Sequence, residues 1–211
     1  MTTTAPPPSR TDRRRARTRG ALIAAARQIL AERGTVDVSI QEITDSADVG
    51  FGSFYNHFSS KEELFEQAVA EVLEQHGAYL DRLTAGLDDP AEVFAASLRL
   101  TGRLATTQPA AARILTQTGL SYLIADDGLA PRALRDIQRA TEAGRFQVSN
   151  PTVALASTGG CLLAFLQLRL QRPDLVTDED ADEMAEQVLR MLGMSAAAAR
   201  RLAHRPLPQV A

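Results

Sequence analysis

Two Ser-x-x-Glu sequences, Ser39 to Glu42 and Ser60 to Glu63, constrain the first part of this chain more than any other feature. In such a box the serine hydroxyl accepts the glutamate N–H while the carboxylate reaches back to the serine N–H, so each pair starts a helix. Between the first short helix and the second box lie Asp48-Val49-Gly50, a tight turn, and then FGSFYNHF. A short helix, a three-residue turn and a second short helix make a helix-turn-helix. The sequence therefore predicts three short helices before residue 60, with a long one opening at the second box.

The remaining periodicities are helical as well. No run of β-branched residues alternates with period two between Gly or Pro, so no strand is expected. A first helix is predicted from about Asp12 to Arg33, with Leu22, Ala26, Ile29 and Leu30 on one face and Gly34 as its stop. The second helix should bury Ile40, Ile43 and Ala47; the one from the second box runs through Leu64, Ala68, Val72, Tyr79, Leu80 and Leu83. Asp89-Pro90 with Glu92 opens a fifth helix, which Gln108-Pro109 ends. Helical stretches follow over 110–125 and 131–143, the latter stopped by Gly144. Asn150-Pro151 opens an apolar helix to about Arg172, Thr177 opens the last major helix, Gly193 closes it, and a short helix covers 196–203. The expected fold is all-α. Residues 1–11 are expected to form a disordered tail, 12–60 a helix-turn-helix domain, 61–204 a larger helical domain, and 205–211 a C-terminal tail.

Charge divides the chain in the same place. The formal net charge is −3, yet residues 1–61 hold nine Lys/Arg and six Asp/Glu, or +3, which leaves −6 for residues 62–211. Six arginines against Asp12 alone crowd residues 10–20. A basic arm on an acidic body suits a polyanion partner; a solvated basic tail is the alternative. With 45% hydrophobic residues the chain can bury a core, and the single Cys161 excludes an internal disulfide framework and fits a reducing cytosol. The apolar run ALIAAA after the arginines ends at Arg27, too short for a secretory core, and the run CLLAFL is far below a bilayer span. A soluble cytoplasmic protein is expected.

The segment FGSFYNHF carries the function. Four of the ten aromatic residues, Phe51, Phe54, Tyr55 and Phe58, fall here and form one stripe on a helical wheel. Phe54 and Phe58 are read as core. The other side holds Gly52, Ser53, Asn56 and His57, poor helix formers whose groups can meet phosphates or base edges. Gly52 allows close approach to a phosphate, the Ser53 and Tyr55 hydroxyls can donate to phosphate oxygens, and Asn56 and His57 can reach base edges. Lys61, the lone lysine among 22 arginines, offers a compact charge at a helix N-terminus.

The block TRGALIAAARQILAERG…VSIQEITDSADVGFGSFYNHFSSKEELFEQAV, Thr18 to about Val69, resembles the tetracycline-repressor-like (TetR) family of bacterial transcriptional regulators. The resemblance implies a homodimer that binds a pseudo-palindromic operator on double-stranded DNA and leaves it when a small effector enters the helical body. It adds Gln41 and Phe51 as DNA contacts, with Arg17 and Thr18 of the basic arm touching phosphates. Asp48 stands where the family usually has glycine, and Gly50 where a serine-like cap is common. Phe51 stands where a polar base-reading residue is frequent, so it either meets a thymine methyl or extends the core.

In TVALASTGGCLLAFLQLRL, Ala154, Ser157, Gly160 and Ala164 recur at three- and four-residue spacing, which suits close helix packing across a dimer two-fold; a local kink is the alternative. The dimer is expected through the helices at about 150–172 and 177–192. Thr101, Gln117, Tyr122, Thr158, Cys161 and Phe165 are polar or aromatic residues amid apolar helices, and the last five are the candidate ligand contacts for a mainly hydrophobic molecule. Catalysis is not expected, nor is a cofactor or metal. The histidines 57, 76 and 204 lie far apart, Cys161 has no basic neighbour in sequence, and the acids of DEDADE fit a helix's first turn. The chain reads as a ligand-responsive regulator, most simply a repressor. A protein-interaction module with a non-functional helix-turn-helix is the competing class.

Overall fold

The computed structural model describes residues 9–119 and 128–209, and every regular element among them is helical. The order is α1 (Arg10–Arg33), α2 (Ile40–Ser46), α3 (Phe51–Phe54), α4 (Lys61–Thr84), α5 (Pro90–Gly102), α6 (Leu104–Thr107), α7 (Pro109–Thr118), α8 (Leu129–Glu142), α9 (Pro151–Gln171), α10 (Asp180–Met191) and α11 (Ala196–Ala203). The chain divides into two compact units, residues up to Ala68 and residues from Val69 onward, and passes from one to the other inside α4.

In the first unit local signals set most helix starts. Ser9 and Asp12 make a capping box at the start of α1, and Gly34, at φ 68°, ends that helix in the left-handed conformation only glycine adopts freely. The Ser39–Glu42 box forms as predicted, and the Ser39 N–H, joined by Arg33, holds the Glu42 carboxyl down to about 2. Ile43 is buried, while Ile40 and Ala47 are half-buried. The second box is split. The Ser60 hydroxyl accepts the Glu63 N–H at 3.2 Å, but the Glu63 carboxylate turns to the Ser59 N–H at 2.7 Å and its hydroxyl at 2.6 Å. Leu22, Ala26, Ile29 and Leu30 of α1 supply the core with Ile43, Phe54, Phe58, Leu64 and Phe65.

In the second unit α5 packs on α8, α9, α10 and α11, and α9 also meets α7, α8 and α10. Asp89 and Asn150 cap α5 and α9 ahead of their prolines, and Gly144 and Gly193 follow α8 and α10 at φ 69° and 93°. The single helix expected between Asp89 and Gln108 is interrupted after Gly102, where a Cβ would lie 3.1 Å from that of Ala181, a tight contact that α10 would have to yield to admit. Of the predicted 110–125 helix, α7 covers residues to Thr118, and the end of that stretch lies outside the described residues. Buried Arg99 bonds Asp182 at 2.7 Å, and Arg103 bonds the same oxygen at 2.7 Å, tying α5 to α10.

Helix α9 runs unbroken through Gly159-Gly160. By length and composition it is apolar enough to cross a membrane, unlike the short run CLLAFL taken alone, and 33% of that stretch is buried within the chain. Its remaining face carries the small-residue stripe: Ser157 and Ala164 are exposed, Ala154 and Gly160 half-buried, and a Cβ on Gly160 would meet nothing within 4 Å.

Candidate nucleic-acid interface and body cavity

The turn between α2 and α3 is built around Asp48, the only non-glycine at positive φ among the described residues, at 52°. Aspartate stands where glycine was the family expectation, yet the backbone keeps the left-handed shape that a short polar side chain tolerates. Gly50 caps α3 with its backbone in an extended conformation. The recognition segment itself departs from the predicted continuous helix. Only Phe51–Phe54 is helical, and the chain then closes through Asn56 N–H to Ser53 O at 3.3 Å and His57 N–H to Phe54 O at 2.9 Å. The aromatic stripe splits along its length, Phe54 and Phe58 on one edge and Phe51 and Tyr55 on the other. Phe54 and Phe58 are buried with ring centroids 6.0 Å apart, while Phe51 and Tyr55 are 47% and 56% exposed and meet edge-to-face at 5.9 Å.

The outward face therefore gathers Phe51, Gly52, Tyr55 and Asn56, all exposed, with Ser53 and His57 half-buried beside them. A Cβ on Gly52 would meet nothing within 4 Å, so the backbone there is open to a close neighbour. Exposed Gln41 donates to Asp45 Oδ1 at 2.7 Å along α2. From α1, Arg15 Nη2 approaches the Asn56 carbonyl at 3.5 Å, and Arg19 lies over the Phe58 ring at 5.3 Å while bonding Gln67. Burial first, then the charges of Arg15 and Arg19, hold the His57 pKa below its ordinary 6.5. Arg17 is exposed, and the Thr18 hydroxyl donates to Arg14 O at 3.2 Å. The Lys61 ammonium donates to Val38 O at 3.2 Å from a half-buried position, leaving two further N–H donors. Among the described residues this surface is cationic and hydrogen-bonding, rimmed by two exposed rings.

The second unit contains a cavity of about 60 Å³ for the centres of water-sized spheres, large enough for several waters or a small guest. Leu80, Phe94, Leu98, Leu129, Leu155 and Leu162 form its apolar walls, and Asp81, Ser97, Thr101, Arg132, Asp136 and Thr158 its polar ones. Arg132 crosses the bare face of Gly77 to bond Asp81 through Nε at 2.7 Å and Glu74 through both terminal nitrogens at 2.7 Å. These two carboxylates raise the Arg132 pKa further. Burial pushes Asp81 up, and its bonds to Arg132 and Arg135 outweigh this to hold it below its usual range. Asp136, 5% exposed, is raised by burial, with Arg135 Nε at 3.0 Å opposing.

Of the predicted ligand contacts Thr158 lines this cavity, as does Thr101. Gln117 and Cys161 are exposed and outside its lining, Phe165 packs beside Gly102, and Tyr122 lies outside the described residues. The charged lining residues were not singled out from sequence. Their signal was Asp136 interrupting the apolar stripe Leu129, Ala133, Ile137 and Ala140 of α8.

Residues 89–205, more than half of the chain, match the tetracyclin repressor-like C-terminal domain, and residues 22–68 match bacterial regulatory proteins of the tetR family. The chain belongs to the tetR family. It is similar to RolR, whose crystal structure in complex with its ligand resorcinol superposes with a TM-score of 0.77 at 38% identity, covering 94% of this chain and 99% of that one. The HTH-type transcriptional repressor KstR2 of Rhodococcus jostii (strain RHA1) is 32% identical over 91 residues, 43% of this chain and 45% of that relative. KstR2 of Mycobacterium tuberculosis (strain ATCC 25618 / H37Rv) is 29% identical over 113 residues, 50% of this chain and 56% of the relative. The chain thus spans about half the length of the curated relatives it matches.

Proposed function

We propose that this tetR-family chain is a ligand-responsive DNA-binding transcriptional regulator, a repressor that acts as a homodimer on a pseudo-palindromic operator and is released by a small, mainly hydrophobic molecule. The observation that carries the reading is the outward face of the turn-and-helix segment. Tyr55 and Asn56 are exposed beside open Gly52, next to an arginine-rich α1. In this reading Arg17, Thr18, Ser53, Tyr55 and Lys61 contact phosphates, and Gln41, Asn56 and His57 reach base edges or further phosphates. Phe51, half-exposed and edge-on to Tyr55, meets a thymine methyl.

The dimer forms through the uncovered face of α9 together with α10, where Val153 is 59%, Leu168 38% and Met191 49% exposed. Gly160 and its small neighbours allow two copies of α9 to approach closely. The pair would set its recognition segments about 34–36 Å apart, matching successive major grooves. The cavity of the second unit takes the effector. Its Leu-rich walls with a few polar groups suit a molecule of the size and character of resorcinol, the ligand named for RolR. An effector that prefers a form with different spacing lowers operator affinity by population shift.

Random-sequence DNA selection on the purified chain, followed by gel shifts on the enriched site, tests this. A palindrome should emerge, and Tyr55→Ala should weaken binding to all sequences by about tenfold or more. Recovery of no palindrome, or unchanged affinity of Tyr55→Ala, refutes the proposal.

A further inference from the structure

Gln41 and Asp45 stand four residues apart in α2, so they share one side of that helix, and both are exposed. Gln41 Nε2 donates to Asp45 Oδ1 at 2.7 Å. Only the nitrogen of a glutamine amide carries hydrogens, and a carboxylate only accepts, so the bond fixes which way round the amide lies. Reversed, it would set two oxygens against each other at that distance. The Ser39–Glu42 box anchors the turn of α2 that carries Gln41, so the pair stands on settled backbone. The neighbouring acid does not compete for the amide, because the Glu42 carboxylate accepts from the Ser39 N–H at 2.9 Å and from Arg33 at 3.1 Å.

The bond uses one of the two amide hydrogens. What Gln41 keeps free is its amide oxygen and one N–H, an acceptor beside a donor in one plane. That pair complements the major-groove edge of adenine, where N6 donates and N7 accepts. Guanine shows two acceptors there, cytosine only a donor and thymine only an acceptor, so each leaves part of the amide unmatched. Asp45 has no ion-pair partner among the described residues, and a lone carboxylate near phosphates repels every DNA sequence alike. The repulsion is general while the orientation of Gln41 favours one base, so together they widen the gap between right and wrong sites.

We propose that Asp45 is a positioning residue for operator recognition. It touches no base; it holds the Gln41 amide so that the oxygen and the remaining N–H select one adenine in each half-site. This rests on the reading of Gln41 as a base contact on a DNA-binding face.

The test uses the full chain and the operator enriched from random DNA. Each half-site position is replaced by all four bases, and competition gel shifts compare wild type with Gln41→Ala, Asp45→Ala and Asp45→Asn. Wild type should prefer adenine by about tenfold at one position per half-site, and Gln41→Ala should flatten that position alone. Asp45→Ala should cut the same preference to about threefold or less and strengthen binding to unrelated DNA. Asp45→Asn, whose carbonyl oxygen still accepts from Nε2, should keep the preference while also binding unrelated DNA more tightly. A merely structural role would instead weaken all positions together, and a purely electrostatic one would make the two Asp45 variants alike. Full preference in Asp45→Ala, its equal loss in Asp45→Asn, or a base other than adenine preferred where Gln41→Ala acts overturns the proposal. If a palindrome is enriched but Gln41→Ala flattens no position, the proposal falls and the DNA-binding reading stands. If no palindrome is enriched, both fall.

Discussion

Acidification should unfold this chain earlier than its carboxylates alone dictate, because of His76. The ring is 5% exposed and its pKa lies near 4 in the folded chain, against an ordinary value of 6.5. As pH falls through 6.5 the unfolded chain takes up a proton that the folded chain refuses until about 4. The unfolded state then binds more protons, so stability drops with falling pH across that window and is fully present above it. Going from about pH 7 to about pH 5 the loss is roughly 2 kcal/mol, approaching roughly 3 at lower pH. With a urea slope of about 2 kcal/mol/M, the first figure moves the midpoint by about 1 M. Urea melts followed by far-UV circular dichroism at both pH values give the wild-type shift, which includes the carboxylates. His76→Gln, which cannot titrate at that site, isolates the histidine term: it should lose about 2 kcal/mol less than wild type over the same interval. Equal pH dependence in the two proteins would refute the argument, since it would mean the buried ring accepts its proton without penalty.

Three substitutions probe other features. Asp48→Gly relieves a left-handed residue at φ 52° and should raise stability by up to about 1 kcal/mol in thermal melts. Gly193→Ala should cost at least about 2 kcal/mol, since φ is 93° and the new Cβ would lie 2.6 Å from that of Gln147; a neutral result would contradict this packing. Val153→Glu combined with Leu168→Glu should convert a dimer to monomer in sedimentation velocity, and an unchanged mass would exclude this face of α9 as the interface.

Features set by neighbours in sequence were the legible ones. The Ser39–Glu42 box, the Asn150-Pro151 start and the glycine stops at 34, 144 and 193 stand where the sequence places them, because each depends on groups a few residues apart. The recognition segment was half legible. Phe54 and Phe58 are buried as expected, but a wheel does not say where along the aromatic stripe the core ends, and Phe51 and Tyr55, on its one edge, face outward. The close approach of Gly102 to Ala181 and the cavity wall where Asp81 meets Arg132 are contacts between residues far apart in the chain that no single periodicity encodes. Gln117 and Cys161, candidate ligand contacts by sequence, are exposed and outside the lining of that cavity, a placement that polarity within an apolar helix does not encode.

The Lys61–Val38 bond has a practical corollary. A lysine-specific endoprotease finds one place to cut these 211 residues, the peptide bond after Lys61, in the first turn of α4. Cleavage there requires that turn to unwind and the ammonium to leave its carbonyl. The digestion rate of the intact protein is thus a single-event clock on local opening of the first unit, readable from the appearance of two fragments on a gel.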